Sequence, residues 1–209
     1  MIKAITFDLD GVYFPNGKIK FIKNLVALGV PESEARRVFL QSDEMNLKYK
    51  TGQWTDEQFW SWALSEWKSD KTVPEIIKLL IEGYEVDPRV ADLTRTVRVN
   101  GYKTLICSNN FPARIKGLQA KFGFLDDFDV VVLACEVGVL KPDKKIFEEL
   151  IKNSGVRPDE IFYTDDSQAA LDSAKELGIV AHYYENFEDF IVTLENLGVS
   201  ATPHTGMGR

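Results

Sequence analysis

The 209-residue chain reads as an α/β protein built on a mainly parallel sheet. Three observations lead there. Five runs rich in Ile, Val, Phe or Tyr, at 4–9, 104–107, 130–134, 161–164 and 180–184, have the length of strands. Helix-like stretches at 89–100, 112–121, 143–153 and 167–177 alternate with the later runs, and each stops at or near Gly101, Gly123, Gly155 or Gly178. From residue 19 to about 86, by contrast, no strand-like run occurs. Alternating strands and helices imply parallel pairing covered on both faces.

Taken in order, the first run ends in two carboxylates and a glycine, "KAITFDLDGV". The stretch that follows reads as an all-helical insertion, with Pro31, Thr55 and Thr72 where helices start. All four tryptophans, Trp54, Trp60, Trp62 and Trp67, lie in it; most are expected to pack its helices, the alternative being that one or two face a cleft and contact a ligand. Lys48, Tyr49, Lys50 and Gln53 read as a solvated helix face in preference to a substrate contact. Pro15, Gly17 and Pro88 mark its borders, with hinges expected near residues 14–20 and 84–88. The expected organisation is a Rossmann-like parallel-sheet core flanked by helices (1–16 and 87–199), a small helical domain (17–86) and a disordered tail (200–209).

Composition narrows the function classes. A hydrophobic fraction of 44% suits a chain that buries a core, and no apolar stretch reaches the ~20 residues of a membrane-spanning helix. A net charge of −7 argues against nucleic acid as main partner, because phosphate backbones are bound by basic surfaces. The two cysteines, Cys107 and Cys135, sit in apolar runs and read as buried thiols, and no secretory signal is visible, which favours the cytoplasm. With His182 and His204 as the only histidines, a multi-histidine metal site has little material.

In a parallel sheet, functional groups collect beyond the carboxyl ends of the strands. The first strand is followed by Asp8 and Asp10, and the second by Ser108-Asn109-Asn110. The third leads through "CEVGVLKPDK", carrying Lys141, and the fourth is followed by Asp165-Asp166. Four carboxylates at one edge repel one another and raise each other's pKa values, at about 4 kcal/mol per pair 4 Å apart in a medium of moderate dielectric. Lys141 offsets part of this. An all-oxygen ligand set indicates magnesium as the further partner. If the strand stays extended to its tip, Asp8 and Asp10 share a face. Ser108, Asn109 and Lys141 then suit an anionic group, and the whole suits phosphoryl transfer. Taken singly each motif has a plain alternative: a strand-end pair, a turn, a helix cap, a solvated lysine.

Four ordered motifs, "FDLDGV", "LICSNN", "GVLKPDKKIFEEL" and "FYTDDSQAAL", resemble the haloacid dehalogenase superfamily, in the phosphatase branch with a helical cap inserted after the first motif. The resemblance covers residues 1 to about 197. It implies Asp8 as nucleophile, Asp10 as general acid and base, and Ser108, Asn109 and Lys141 as phosphate ligands. It implies Mg2+ on Asp8, on the backbone carbonyl of Asp10, and on the pair Asp165 and Asp166, with Asp166 the more direct ligand. Family members that cleave carbon–halogen bonds generally lack the second aspartate, so Asp10 favours phosphate esters. Val12 stands where many relatives have threonine.

The expected activity is magnesium-dependent hydrolysis of a small phosphorylated metabolite, a sugar phosphate or similar, through an aspartyl-phosphate. The alternatives are a sugar phosphomutase with the same apparatus, a receiver-type signalling module, and a catalytically idle binding protein. The order of the acidic pair and the lysine, together with the helical insertion, counts against the receiver. No nucleic acid or membrane partner is expected, and the assembly is either monomer or homodimer.

Overall fold

A computed structural model of the chain describes residues 1–202. Five parallel strands, β1 (Ala4–Phe7), β2 (Lys103–Ser108), β3 (Val130–Leu133), β4 (Ile161–Asp165) and β5 (Val180–Tyr183), form one sheet in the order β3-β2-β1-β4-β5. The chain builds outward from β1 on one side, then returns to place β4 on the other. The crevice between β1 and β4 is therefore the switch point where ligands of such sheets bind. Register sets the site: Phe7 lies opposite both Ile106 and Thr164, so β4 ends one residue and β2 two residues beyond the end of β1, at the same edge.

Side chains alternate across the sheet. Ile5, Phe7, Ile106 and Phe162 join one apolar cluster, covered by α5 (Pro88–Val99), α6 (Pro112–Phe122) and α10 (Phe187–Asn196). Leu105, Cys107, Ile161 and Tyr163 join the other, covered by α8 (Lys144–Ser154) and α9 (Gln168–Glu176). A single turn, α7 (Ala134–Val137), follows β3.

Between β1 and β2 lie α1 (Gly17–Ala27), α2 (Glu32–Arg36), α3 (Asp56–Glu66) and α4 (Val73–Glu82). Wide π-type turns over Arg37–Gln41 and Glu44–Tyr49 connect α2 to α3. Thr55 caps α3 with a reciprocal bond to Gln58, and Thr72 pairs with Glu75 at the start of α4. Trp60 and Trp67 are buried, while Trp54 and Trp62 are half-buried against each other and the same cluster.

Three sequence expectations are corrected. The first strand stops at Phe7 instead of continuing through Asp8 and Leu9, because the chain turns: Phe14 donates its N–H to the Leu9 carbonyl at 2.7 Å. Tyr49 is not on a solvated face but fully buried, its ring stacked 4.4 Å from that of Phe59. Lys50 also leaves that face and lines the cleft. Of the tail expected at 200–209, residues 203–209 lie outside the described residues. Its first part is bonded, since Asn100 donates to the carbonyls of Ser200 and Thr202 at 2.8 and 2.9 Å.

Candidate active site

The carboxyl ends of β1, β2 and β4 open into a cavity of about 310 Å³. The seven residues expected to bind or act on a phosphoryl group all line it: Asp8, Asp10, Ser108, Asn109, Lys141, Asp165 and Asp166.

Asp8 follows β1 directly and is anchored by its backbone N–H to the Thr164 carbonyl at 3.2 Å. Lys141 reaches it from the loop before α8. Its ammonium lies 2.8 Å from Asp8 Oδ1 and 2.6 Å from Asp165 Oδ2, and donates to the Cys107 carbonyl at 3.0 Å. Burial pushes the Asp8 carboxyl up to about 6; Lys141 opposes this, and Asp165 and Asp10 add to it. Burial also works against the charge on Lys141, but Asp8 foremost holds its pKa well above the ordinary lysine value.

Asn109 explains how Lys141 is held. Its side chain grips the Lys141 backbone in both directions, donating to the carbonyl at 3.1 Å and accepting from the N–H at 2.7 Å. Ser108, at the tip of β2, is buried and faces the same cavity. Asp165 accepts from the Ser167 N–H at 2.8 Å and from the Tyr163 hydroxyl. Asp166 is exposed; partial burial and the neighbouring Asp165 raise its pKa.

Asp10 reaches the cleft by the turn after β1, not by strand alternation. Gly11 makes that turn at φ +89°, and a Cβ there would stand 2.4 Å from Asp166 Oδ2. Asp10 Oδ2 lies 2.6 Å from Nη2 of Arg114 and 3.1 Å from the Lys18 ammonium. Burial alone would raise the Asp10 pKa, but Arg114 and then Lys18 outweigh it and hold the carboxyl below the usual range.

Sequence reasoning missed Arg114, Lys18 and Tyr84. Arg114 had a detectable signal: a cation in the first turn of α6 opposes the helix dipole and calls for a nearby anion. Lys50 enters from the helical segment, its ammonium bonded to Asn46 Oδ1 at 2.9 Å. Burial, with Lys18 and Arg114 nearby, pushes its pKa down to about 7.

Oxygens of Asp8, Asp165 and Asp166 lie within 4.8 Å of one another. Three carboxylates so close, with one lysine between two of them, have the hard-oxygen chemistry that suits a small divalent cation. The family model for haloacid dehalogenase-like hydrolases matches residues 2–178, a span that holds all four motifs. The chain belongs to the haloacid dehalogenase-like hydrolases.

Among hydrolase relatives of known name, D-ribitol-5-phosphate phosphatase of Bacteroides thetaiotaomicron is 27% identical over 198 residues, 91% of this chain and 95% of that protein. Acyl-CoA dehydrogenase family member 10 of Mus musculus is 26% identical over 93% of this chain, which spans only 19% of that protein's length. A HAD family enzyme from Bacteroides thetaiotaomicron, crystallised with magnesium and inorganic phosphate, superposes with a TM-score of 0.76 at 23% identity, covering 91% of this chain and 99% of that one. That likeness shows a shared fold. No helix among the described residues of this hydrolase is long and apolar enough to cross a membrane.

Proposed function

We propose that this hydrolase is a magnesium-dependent phosphatase acting on a small phosphorylated sugar or polyol through an aspartyl-phosphate on Asp8. The observation that carries the reading is the convergence of Asp8, Lys141, Asp165 and Asp166 at one strand edge, with Asp10 beside them in the same cavity. The phosphatase relative and the magnesium–phosphate complex of the structural neighbour support it.

Asp8, Asp165 and Asp166, with the Asp10 carbonyl, would hold Mg2+. Bound there, the ion would neutralise the phosphoryl oxygens and favour the ionised form of Asp8. Lys141 holds Asp8 toward the cavity and adds positive charge where the phosphoryl oxygens gather. Ser108 supplies a hydroxyl and Asn109 its backbone N–H, its side chain being engaged with Lys141. The Asp8 carboxylate forms a bond to phosphorus as the ester oxygen leaves, and Asp10 gives that oxygen a proton. Asp10 then takes a proton from water, which attacks the aspartyl-phosphate and releases inorganic phosphate. Arg114 and Lys18 favour ionised Asp10, ready for the second half; the negative charge of an arriving phosphate ester raises its proton affinity for the first.

Residues 17–86 are read as a cap over this site, with Lys18 and Lys50 as its contributions to the cleft. The test is a screen of sugar and polyol phosphates with Mg2+ against a chelator control. Free phosphate should appear in step with ester consumed, and Asp8→Asn should lower turnover at least about 1,000-fold with the fold intact. An isomeric sugar phosphate without phosphate release would instead indicate a mutase. Undiminished activity of Asp8→Asn would overturn the mechanism.

A further inference from the structure

Arg114 is fully buried, an unusual place for a guanidinium. Its nitrogens are shared among three partners: Nε donates to Asn110 Oδ1 at 2.5 Å, Nη1 donates to the Tyr84 hydroxyl at 2.7 Å, and Nη2 lies 2.6 Å from Asp10 Oδ2. The Tyr84 hydroxyl in turn donates to Asp10 Oδ1 at 3.4 Å. Both oxygens of the Asp10 carboxylate are therefore held, Oδ1 by Tyr84 and Oδ2 by Arg114. Such an ion pair is a poor stability device, because apolar replacements of buried pairs are often neutral or better.

Tyr84 adds a second link. It lies in the connection that returns from the helical segment to the core, just beyond α4. Its buried ring is pressed against Gly17, where the outgoing connection enters α1, so closely that a Cβ there would stand 2.2 Å from two ring carbons. Asp87, on the return connection, donates its N–H to the Tyr13 carbonyl on the outgoing one at 3.0 Å. The two connections are thus stitched side by side, with the Tyr84 ring wedged between them and its hydroxyl on Arg114 and Asp10.

We propose that Arg114 and Tyr84 are positioning residues that aim the Asp10 carboxylate at the ester oxygen and tie that aim to the seating of the helical segment on the core. The proposal rests on the reading of Asp10 as the proton donor. A shift of the segment moves Tyr84, and Tyr84 carries one Asp10 oxygen and one Arg114 nitrogen with it. Proton delivery is then available only when the segment is seated, which limits premature ester cleavage in an open cleft.

The gentle variant is Tyr84→Phe, which keeps the ring between the connections and removes only the hydroxyl. The readout is kcat/KM on two esters: an alkyl ester, D-ribitol 5-phosphate or the best alkyl substrate of the screen, and 4-nitrophenyl phosphate, whose leaving group needs no proton. Tyr84→Phe should lose about 10-fold on the alkyl ester, a fraction of the ~10²–10⁴ that proton transfer contributes, and under about 3-fold on the aryl ester. Arg114→Lys should lose more on the alkyl ester than Tyr84→Phe, and Arg114→Met more again. Equal losses on both esters, or no loss in Tyr84→Phe, would overturn the proposal even if Arg114→Met fails to fold. If the wild-type protein hydrolyses neither ester nor any other in the screen, the phosphatase reading itself falls. Hydrolysis by wild type with a flat Tyr84→Phe profile removes only the positioning role.

Discussion

Lys18 and Lys50 bring the positive charge of the helical segment into the cleft, but only Lys18 is paired with an acid there. Lys50 is bonded to the neutral Asn46 and is therefore available to an anionic ligand. Lys50→Met should raise KM at least about 10-fold with a smaller effect on kcat, since hydrogen bonds to charged groups contribute ~1.5–3 kcal/mol. Asp8 carries a separate prediction. Its pKa is about 6 in the metal-free fold against 3.8 ordinarily, so the native state binds the proton more tightly. Metal-free stability therefore falls as pH rises through that window. A divalent cation favours the ionised carboxylate, so the rise in Tm on adding Mg2+ should be larger at pH 7.5 than at pH 5. An equal rise at both pH values would remove Asp8 from the ligand set. At this scale the sequence located the acids because they lie at or just past strand ends, and Lys141 because it comes just before the long helix that follows the third strand. It misplaced Tyr49 and Lys50 because the π-type turn over Glu44–Tyr49 alters the angular step per residue, so helical periodicity assigns the wrong face.

The loop after β1 does more than extend the strand. By turning at Gly11 it brings Asp10 back toward α6 and leaves room for Asp166 against the glycine. Gly11→Ala combines an unfavourable positive φ with a Cβ 2.4 Å from Asp166 Oδ2. It should cost about 1–2 kcal/mol of stability and raise the Mg2+ concentration needed for half-maximal activity, measured by denaturation and by metal titration. A variant with unchanged metal requirement would separate Gly11 from the acidic pair. Most strands and helices were legible within two residues from apolar runs, caps and glycine stops. The "DLD" spacing was misleading, since alternation applies only where extended backbone persists, and here it ends at Phe7. The final helix, α10, is followed by Gly198 much as α9 is by Gly178, but no strand comes after it, and it was not foreseen.

One apolar cluster runs without a break from the sheet into the helical segment, through Phe111, whose ring lies 4.6 Å from Tyr49 and 6.2 Å from Trp60. Asp56 pins the same seam: its Oδ1 accepts from the Tyr49 hydroxyl at 2.6 Å and from the Ala113 N–H at the start of α6 at 3.0 Å. Asp56→Ala should destabilise the protein by about 1–2 kcal/mol, seen as a lower denaturation midpoint, because it removes a cap from α6 and a partner from a buried hydroxyl. The sequence indicated that a helical segment existed but not how it sits, since contacts between distant stretches leave no periodic signal in either. All four tryptophans belong to that segment, and none to the sheet and its flanking helices. The protein is consequently its own optical reporter. Indole emission senses the seam beside Phe111, while the acids and Lys141 sit on an indole-free framework. Ligands that reseat the segment will change the emission, and ligands that only fill the strand edge will leave it as it was.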